Sequence, residues 1–402
     1  MPRTVDFLVV GAGVLGLSIA RELKQRHPDS QIIVFEKEPH LGKHASGRNS
    51  GVLHSGIYYP EGSLKARVCV EGARAMAAYC DEHRLPISRL GKVIVPTRPE
   101  DDAQLDLLHR RAVANGAQAE LIDEARLREL EPEARSATGR ALYAPETAVV
   151  DPGAILERLA EDLRAQGVTI VLGTAVGEVD DRARTARAGG ETYAYGHLYN
   201  AAGLHADRVA QSCGVGAQYT MMPFKGLYYK LDPASGLDIH RLIYPVPDLN
   251  VPFLGVHFTK KVDGAVYLGP TAIPAFGREN YQGLEGLDLS ESVAMLTRVA
   301  RHYVDNKQGF RAYAHAESLR FFKPRFAEAA RALAPRLEAK HLLPSDKVGI
   351  RAQLVDTAKN ELVMDFLVER GQHSTHVLNA VSPAFTSAFS FARYMLDQVG
   401  VN

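Results

Sequence analysis

The sequence predicts an α/β fold with a second, mostly β part threaded through it. Three observations predict it. The chain opens on strand, glycine-rich turn, helix and strand, and that unit ends on an acid. Between Pro223 and Pro270 the texture changes to short strands punctuated by turns. From His376 the chain returns to a strand and a helix. The expected organisation is one unit built from residues 1–84, 146–218 and 345–402, and a second built from residues 85–145 and 219–344.

The opening unit carries the most information. Val5-Asp6-Phe7-Leu8-Val9-Val10 runs into Gly11-Ala12-Gly13-Val14-Leu15-Gly16. A helix follows with Leu15, Ile19 and Leu23 on one stripe, and then Ile32-Ile33-Val34-Phe35 leads to Glu36. This is the G-x-G-x-x-G fingerprint of a Rossmann-like dinucleotide site in its required context. Gly11 permits the tight turn, Gly13 lets backbone approach a pyrophosphate, and Gly16 lets the helix pack closely on the strand. The helix N-terminus offers free N–H groups and the positive end of its dipole to phosphate. Glu36 lies 20 positions after Gly16, where a carboxylate can accept hydrogen bonds from a ribose diol. Taken alone, the glycine pattern also fits a turn in an ordinary βαβ unit; the flanking strands and Glu36 select the nucleotide.

A long stretch rich in Gly, Ser and His follows, up to Ser63, and loops of that length in compact proteins usually carry function. Ser63 caps an expected helix through His83, with Leu64, Val68, Met76 and Cys80 on one stripe. Residues 85 to 150 alternate strand-like pieces, such as Lys92 to Pro96, with charged helices over Asp101 to Asn115 and Asp123 to Leu130. Asp151-Pro152 opens a helix over Gly153 to Gln166, followed by a strand Val168 to Leu172, a strand Tyr199 to Gly203 and a helix Ala206 to Ser212. The β-rich part has Gly226 to Leu231, Phe253 to Phe258 and Ala265 to Gly269 as strands. Residues 290 to 341 read as helical with an interruption at Pro324. A strand His376 to Ala380 then leads to Ser382-Pro383, read as cap and first position of a helix running from about Ala384 to Gln398.

Composition excludes several classes. Lys+Arg and Asp+Glu both number 47 in 402 residues, so no net field argues for nucleic acid. Cys69, Cys80 and Cys213 form no CxxC pair, which fits a reducing, cytoplasmic compartment and no metal site. No run of eighteen apolar residues is present, so nothing in the sequence spans a bilayer. Arg320-Phe321-Phe322-Lys323-Pro324-Arg325-Phe326 interleaves aromatic and basic residues. It fits either a peripheral contact with the inner face of the cell membrane beside a quinone pool or, as the favoured reading, a helix–loop junction whose aromatics face the core.

Six stretches in order extend the fingerprint: His44-Ala45-Ser46-Gly47-Arg48-Asn49-Ser50-Gly51-Val52-Leu53-His54-Ser55-Gly56-Ile57-Tyr58-Tyr59, Pro223 to Tyr229, Pro252 to His257, Leu268-Gly269-Pro270, Gly349-Ile350-Arg351-Ala352-Gln353 and Asn379 to Ala384. The chain thereby resembles the L-2-hydroxyglutarate dehydrogenase/oxidase family, within the D-amino-acid-oxidase-like FAD flavoproteins, over nearly its whole length. Arg48 stands where that family usually has His, and Lys225-Gly226-Leu227 where it usually has Arg-Gly-Glu. The resemblance implies a Rossmann-like FAD-binding domain with an interleaved, mostly antiparallel substrate domain. It implies FAD held at its ADP end by Gly11, Gly13, Val14, Gly16, Glu36 and Lys37, with Val176 at the adenine and Ala202 and Gly203 along the pyrophosphate. Ser46, Arg48, Asn49, Ser50 and Gly51 would follow the flavin end. Ser382, Pro383 and Thr386 would bring a helix N-terminus to the flavin, whose reduced form is anionic.

Oxidising a 2-hydroxy acid needs a hydride acceptor, a base for the hydroxyl proton and cations for the carboxylates. His54 and His257 are the base candidates, with His54 slightly favoured. Arg351 suits bidentate capture of a carboxylate, and Lys225 suits the second carboxylate as a point charge. Tyr58 and Tyr228 are candidate hydrogen-bond donors to substrate. Each of these also has a plainer reading, as a core histidine, an interdomain ion pair or a packed tyrosine. The expected activity is oxidation of L-2-hydroxyglutarate to 2-oxoglutarate, with quinone or oxygen as the final electron acceptor. The rivals are an amino-acid oxidase of the same fold acting on glycine, proline or D-amino acids, and a flavin-binding interaction protein without turnover.

Overall fold

Three sheets organise the chain in a computed structural model that describes residues 2–249 and 254–399. The first has eight strands. At its centre Arg3–Val10 pairs in parallel with Ile32–Phe35 on one side and Glu191–Asn200 on the other. Thr169–Val171 extends it beyond Ile32–Phe35, again in parallel. Ser374–Asn379 joins Glu191–Asn200 in parallel near the end of the chain. Phe7 to Val10 and Ile32 to Phe35 are buried at every position. That is why they read as unbroken apolar runs, since a parallel sheet is covered on both faces. The helices Val14–Arg26, Leu64–Glu82, Pro152–Ala165 and Ala388–Val399 share the core on one side, around Leu17, Leu23, Met76, Leu156, Phe391 and Met395.

Helix starts follow cap chemistry. The Ser63 hydroxyl accepts from Ala66 N at 3.2 Å and opens Leu64–Glu82. The Asp151 carboxylate accepts from Gly153 N at 2.9 Å, with Pro152 at the first helical position.

The second sheet has ten strands and is antiparallel except where Leu242–Pro245 runs parallel to Lys92–Val95. Its backbone is the long pair Tyr219–Leu231 and Leu342–Asp356, which runs from Tyr219 opposite Asp356 to Leu231 opposite Leu342 with one register shift between Leu227 and Tyr229. The expected boundary at residue 345 therefore falls inside a strand of this sheet. A small third sheet ties Val52–Leu53, Ala148–Val150 and Ile87–Ser88 together and anchors the loop that follows the fingerprint.

Four expectations change. The last helix begins at Ala388 rather than about Ala384. Ser382 does not cap it, because its hydroxyl is engaged with His54 Nε2 at 3.3 Å, and Pro383 to Ser387 form irregular turns. The break expected at Pro324 falls just before it, between Arg320 and Lys323, so that Pro324 sits in the first turn of the helix Lys323–Arg331, and a further break separates Asp305 from Phe310. Phe321 and Phe322 do not face the core: they are 55 % and 61 % exposed, while Phe326 takes the buried position. The strand expected from Phe253 forms as His257–Lys260; Pro252 and Phe253 themselves lie outside the described residues.

Candidate active site

The fingerprint turn is built from backbone. Gly11 has φ +97°, and a Cβ there would lie 2.6 Å from Ala201 O. A Cβ on Gly16 would lie 1.8 Å from Gly11 O, so the helix can approach the strand only without a side chain. The helix Val14–Arg26 has no side-chain cap at Gly13 and no acid in its own first turn, so no residue of the helix itself neutralises the positive end of its dipole. Val14 N donates to Ser46 Oγ at 2.9 Å, fastening the short helix Ala45–Arg48 over the turn. Glu36 accepts from Ala12 N at 3.0 Å and from Glu38 N at 3.1 Å, so its carboxylate stands at the turn. Across from it, Gly203 has φ +55° with open space where a Cβ would be. A turn of backbone, a helix N-terminus with no acid of its own and an open glycine opposite form a cradle that fits a dinucleotide pyrophosphate.

From that cradle a cleft of about 1630 Å³, open at its mouth, runs between the two large sheets. Its lining takes Gly13, Val14, Ser46, Arg48, Asn49, Ser50 and Gly203 from the nucleotide side, then Ser382, Pro383 and Thr386. The antiparallel sheet contributes Tyr228, Tyr244, His257 and Arg351. Phe224, Gly226 and Tyr228 all line it, because alternate residues of one strand share a face.

The far end of the cleft gathers the titratable groups. His54 is buried; its backbone N donates to Thr386 Oγ1 at 3.1 Å and its Nε2 meets Ser382 Oγ at 3.3 Å. Burial, with Lys92, His257 and Arg351 nearby, lowers its pKa to about 3. His257 Nδ1 lies 2.8 Å from Gly255 O. A carbonyl can only accept, so Nδ1 carries the hydrogen and Nε2 holds the lone pair. Burial lowers His257 to about 4, against the opposing pull of that carbonyl. Its ring stacks on Tyr244 with centroids 3.9 Å apart. Burial also lowers the Arg351 pKa, while Tyr313, Tyr228 and Tyr59 pull it the other way; a guanidinium stays charged throughout. Burial raises the Tyr228 phenol to about 12, so it enters chemistry as a donor.

Several expected site residues stand elsewhere. Lys225 is not in the lining; its Nζ donates to Asn280 Oδ1 at 2.8 Å. It is Phe224 that lies opposite Arg351 across the strand pair, and Lys225, one residue on, is out of phase with the cleft face. Tyr58 is buried beside Lys92 rather than in the lining. Lys37 lies on Glu279 at 2.6 Å, on Glu38 and on His44 Nε2 at 3.0 Å. A half-buried ammonium takes the carboxylates within reach. Those contacts, with Lys43 on Glu38 at 2.7 Å, pair the charges of a Glu38–His44–Glu279 cluster whose ligand atoms lie within 4.8 Å of one another. Arg48 spends its guanidinium on Lys43 O at 2.6 Å and Val348 O at 3.1 Å, over the Tyr281 ring. Asn49 closes the turn after its short helix through Ser46 O and Gly51 N. Gly51 stands behind the lining, where a Cβ would meet Val150 O at 2.5 Å. Val176 pairs with Ala188 in the first sheet, outside the cleft lining.

Tyr244, Tyr313 and Lys92 were absent from the sequence reading. Only Lys92 left a signal, as a charge at the head of the apolar run Val93-Ile94-Val95.

The model of the FAD dependent oxidoreductase family (DAO) matches residues 6–398. The chain is 36 % identical to the L-2-hydroxyglutarate dehydrogenase of Indibacter alkaliphilus, covering 96 % of this chain and 97 % of that one. It is 35 % identical to the mitochondrial L-2-hydroxyglutarate dehydrogenase of Caenorhabditis elegans, over 98 % and 92 %. Among solved structures, L-α-glycerophosphate oxidase from Mycoplasma pneumoniae with FAD bound is similar in fold, with a TM-score of 0.76 at 21 % identity over 100 % of this chain and 96 % of that one. With that identity sustained along nearly its full length, the chain belongs to the FAD dependent oxidoreductases and, among them, to the L-2-hydroxyglutarate dehydrogenase family.

Proposed function

We propose that this FAD enzyme oxidises L-2-hydroxyglutarate to 2-oxoglutarate in the cleft between its two sheets. The observation that carries the reading is Arg351, a half-buried guanidinium in one lining with two neutral imidazoles. In this reading the eight-stranded sheet is the core of the FAD-binding domain and the ten-stranded sheet the core of the substrate domain. Gly11, Gly13, Gly16, Glu36, Ser46 and Gly203 would hold the ADP half of FAD, and Ser382 to Thr386 would flank its flavin. Bound FAD supplies a two-electron hydride acceptor.

Arg351 takes a substrate carboxylate through its fork of N–H donors, which fixes the carbon that loses hydride. As that carbon gives up its hydrogen with the bonding electrons, the hydroxyl O–H breaks and its proton passes to an imidazole, leaving the ketone. One observation supports His257 over His54 as that base: its Nε2 holds the lone pair because Nδ1 is tied to Gly255 O. Tyr228 donates to substrate oxygen in the same reading. Lys225, committed to Asn280, takes no part.

Anaerobic addition of L-2-hydroxyglutarate should bleach the flavin. Bleaching by glycine, proline or a D-amino acid, and not by L-2-hydroxyglutarate, replaces this reading with the amino-acid oxidase. His257→Gln should lower kcat by about 10²–10⁴-fold, and His54→Gln by less; the reverse order returns the base to His54.

The same reading sends the electrons to a quinone at the inner face of the cell membrane, reached by peripheral contact. No helix among the described residues is long and apolar enough to cross a membrane. An exposed apolar stripe, Leu289, Val293, Leu296 and Val304, runs along the helix Leu289–Asp305; with the exposed Phe321 and Phe322 it supports attachment by insertion into the interface. Sedimentation with anionic lipid vesicles, lost in Phe322→Glu while turnover with a soluble dye is kept, is the expected result. A wild-type protein that never sediments with them ends this part of the reading.

A further inference from the structure

Lys92 heads the strand Lys92–Val95 in the ten-stranded sheet and is 0 % exposed. It shares a strand face with Ile94, which packs in an apolar cluster with Leu142, Ala144, Leu242 and Tyr244. Its Nζ has no hydrogen-bond partner among the described residues. Instead it lies 4.6 Å from the Tyr58 ring centroid and 5.2 Å from that of Tyr244, two faces whose quadrupoles attract a cation. Tyr244 in turn carries His257 stacked on it. His54, whose Nδ1 is also without a partner among the described residues, completes the group. An amine placed this way is costly relative to a methyl-ended side chain of equal length, and Tyr244 links it to the His257 ring.

The titratable groups facing Lys92 are His54 on the loop after Val52–Leu53, Tyr58 on the same loop, Cys69 on the helix Leu64–Glu82, Tyr244 and His257. None is a carboxylate. The Cys69 thiol, raised to about 12 by burial and donating to His54 O at 3.4 Å, is neutral. A charge on Lys92 is therefore felt chiefly by the two imidazoles.

We propose that Lys92 is a positioning residue for the proton chemistry of the cleft: its buried amine keeps His54 and His257 unprotonated, so that an imidazole stands ready for the proton the substrate hydroxyl releases. The proposal rests on the cleft being the site of hydroxy-acid oxidation. The sign of the field supports it. Burial lowers Lys92 only to about 7, so it is charged on the acid side of neutrality, where imidazoles ordinarily protonate. There it adds to burial and to the Arg351 guanidinium, which faces both rings, in holding His54 and His257 neutral. The ionic form of Lys92 and the basic form of the histidines thus coexist.

The test compares holoenzymes carrying Lys92→Met, which keeps the length and removes the charge, and Lys92→Arg, which keeps the charge. The first readout is an NMR titration of ¹³C-labelled histidine without substrate, with signals assigned through His54→Gln and His257→Gln. In Lys92→Met the midpoints of His54 and His257 should rise by about one pH unit, a tenfold change in their protonation equilibrium. In Lys92→Arg they should stay at the wild-type values. The second readout is kcat/KM against pH, whose acid limb should rise by the same amount in Lys92→Met alone. If Lys92→Met does not fold, Lys92→Gln takes its place. Midpoints and acid limb both unmoved by loss of the charge overturn the proposal and make Lys92 a packing residue. Because the titration needs no substrate, the two failures are distinguishable: a wild-type enzyme that ignores L-2-hydroxyglutarate defeats the functional reading on which the proposal rests, whereas unmoved midpoints defeat the role of Lys92 itself.

Discussion

The two walls of the cleft are made of different materials. On the nucleotide side the wall is backbone: Gly11, Gly13 and Gly203 present main chain, and a Cβ on Gly16 would lie 1.8 Å from Gly11 O. On the reacting side the wall is side chain: Arg351, His257, Tyr228 and Tyr244 come from four different strands and their loops. Backbone cannot titrate, and at Gly11 and Gly16 it leaves no room for an added atom. Side chains can be exchanged for others of similar size, and their chemistry is set by what buries them. The first wall should therefore fail by collision and the second by changes of charge.

The largest effect expected is collision. Gly16→Ala should destabilise by more than about 2 kcal/mol and abolish flavin absorbance in the purified protein; a normal yellow variant would mean that the turn is softer than its contacts imply. Next comes charge at unchanged size. Arg351→Lys should lower kcat/KM by about 10³-fold, a loss of about 4 kcal/mol in transition-state binding, with FAD still bound. Equal loss of flavin would move Arg351 from substrate binding to the support of the fold.

Acid should act on both walls together. His54 and His257 at the reacting end, and His197 and His376 in the first sheet, are all held by burial below their ordinary 6.5, at about 3 for the first and about 4 for the others. The folded chain keeps them neutral while the unfolded chain protonates them below 6.5. Their contribution is therefore whole above that pH and is lost as pH falls towards 4. Calorimetry should find Tm lower at pH 5 than at pH 7 by about 5 °C or more. A Tm that holds or rises would mean that carboxylate pairs outweigh the histidines. The smallest effect is expected at Lys225→Met, which loses one hydrogen bond to Asn280 and should change kcat/KM by less than about twofold. A large rise in KM there would bring Lys225 back to the second carboxylate.

The same contrast decides what was legible. Gly11 to Glu36 could be read because strand, turn, helix and acid are neighbours in sequence, and each constraint acts within thirty residues or so. His54 and Arg351 were found through motifs with a glycine close by. Lys225 was misplaced because choosing between the faces of Tyr219–Leu231 needs the cross-strand partner, and Phe224, not Lys225, lies opposite Arg351. Ser382 was misread as a cap because Ser-Pro before an apolar run is ordinary cap chemistry, and its hydroxyl goes to a histidine 328 residues away in sequence. Tyr244 and Tyr313 look like any strand or helix tyrosine until the fold brings them beside His257 and Arg351. Charge balance was readable as a sum, but not as the placement of a lysine where no acid stands.

The first sheet is closed by the end of the chain. Ser374–Asn379 lies alongside Glu191–Asn200, and the helix Ala388–Val399 packs on Val14–Arg26 and Leu64–Glu82. A ribosome adding about 5–20 residues per second has had the fingerprint out in the open for tens of seconds before those partners emerge. A nascent chain stalled short of residue 374 lacks that strand and helix, and exposes the apolar face of its opening helix to whatever chaperone or neighbour meets it first.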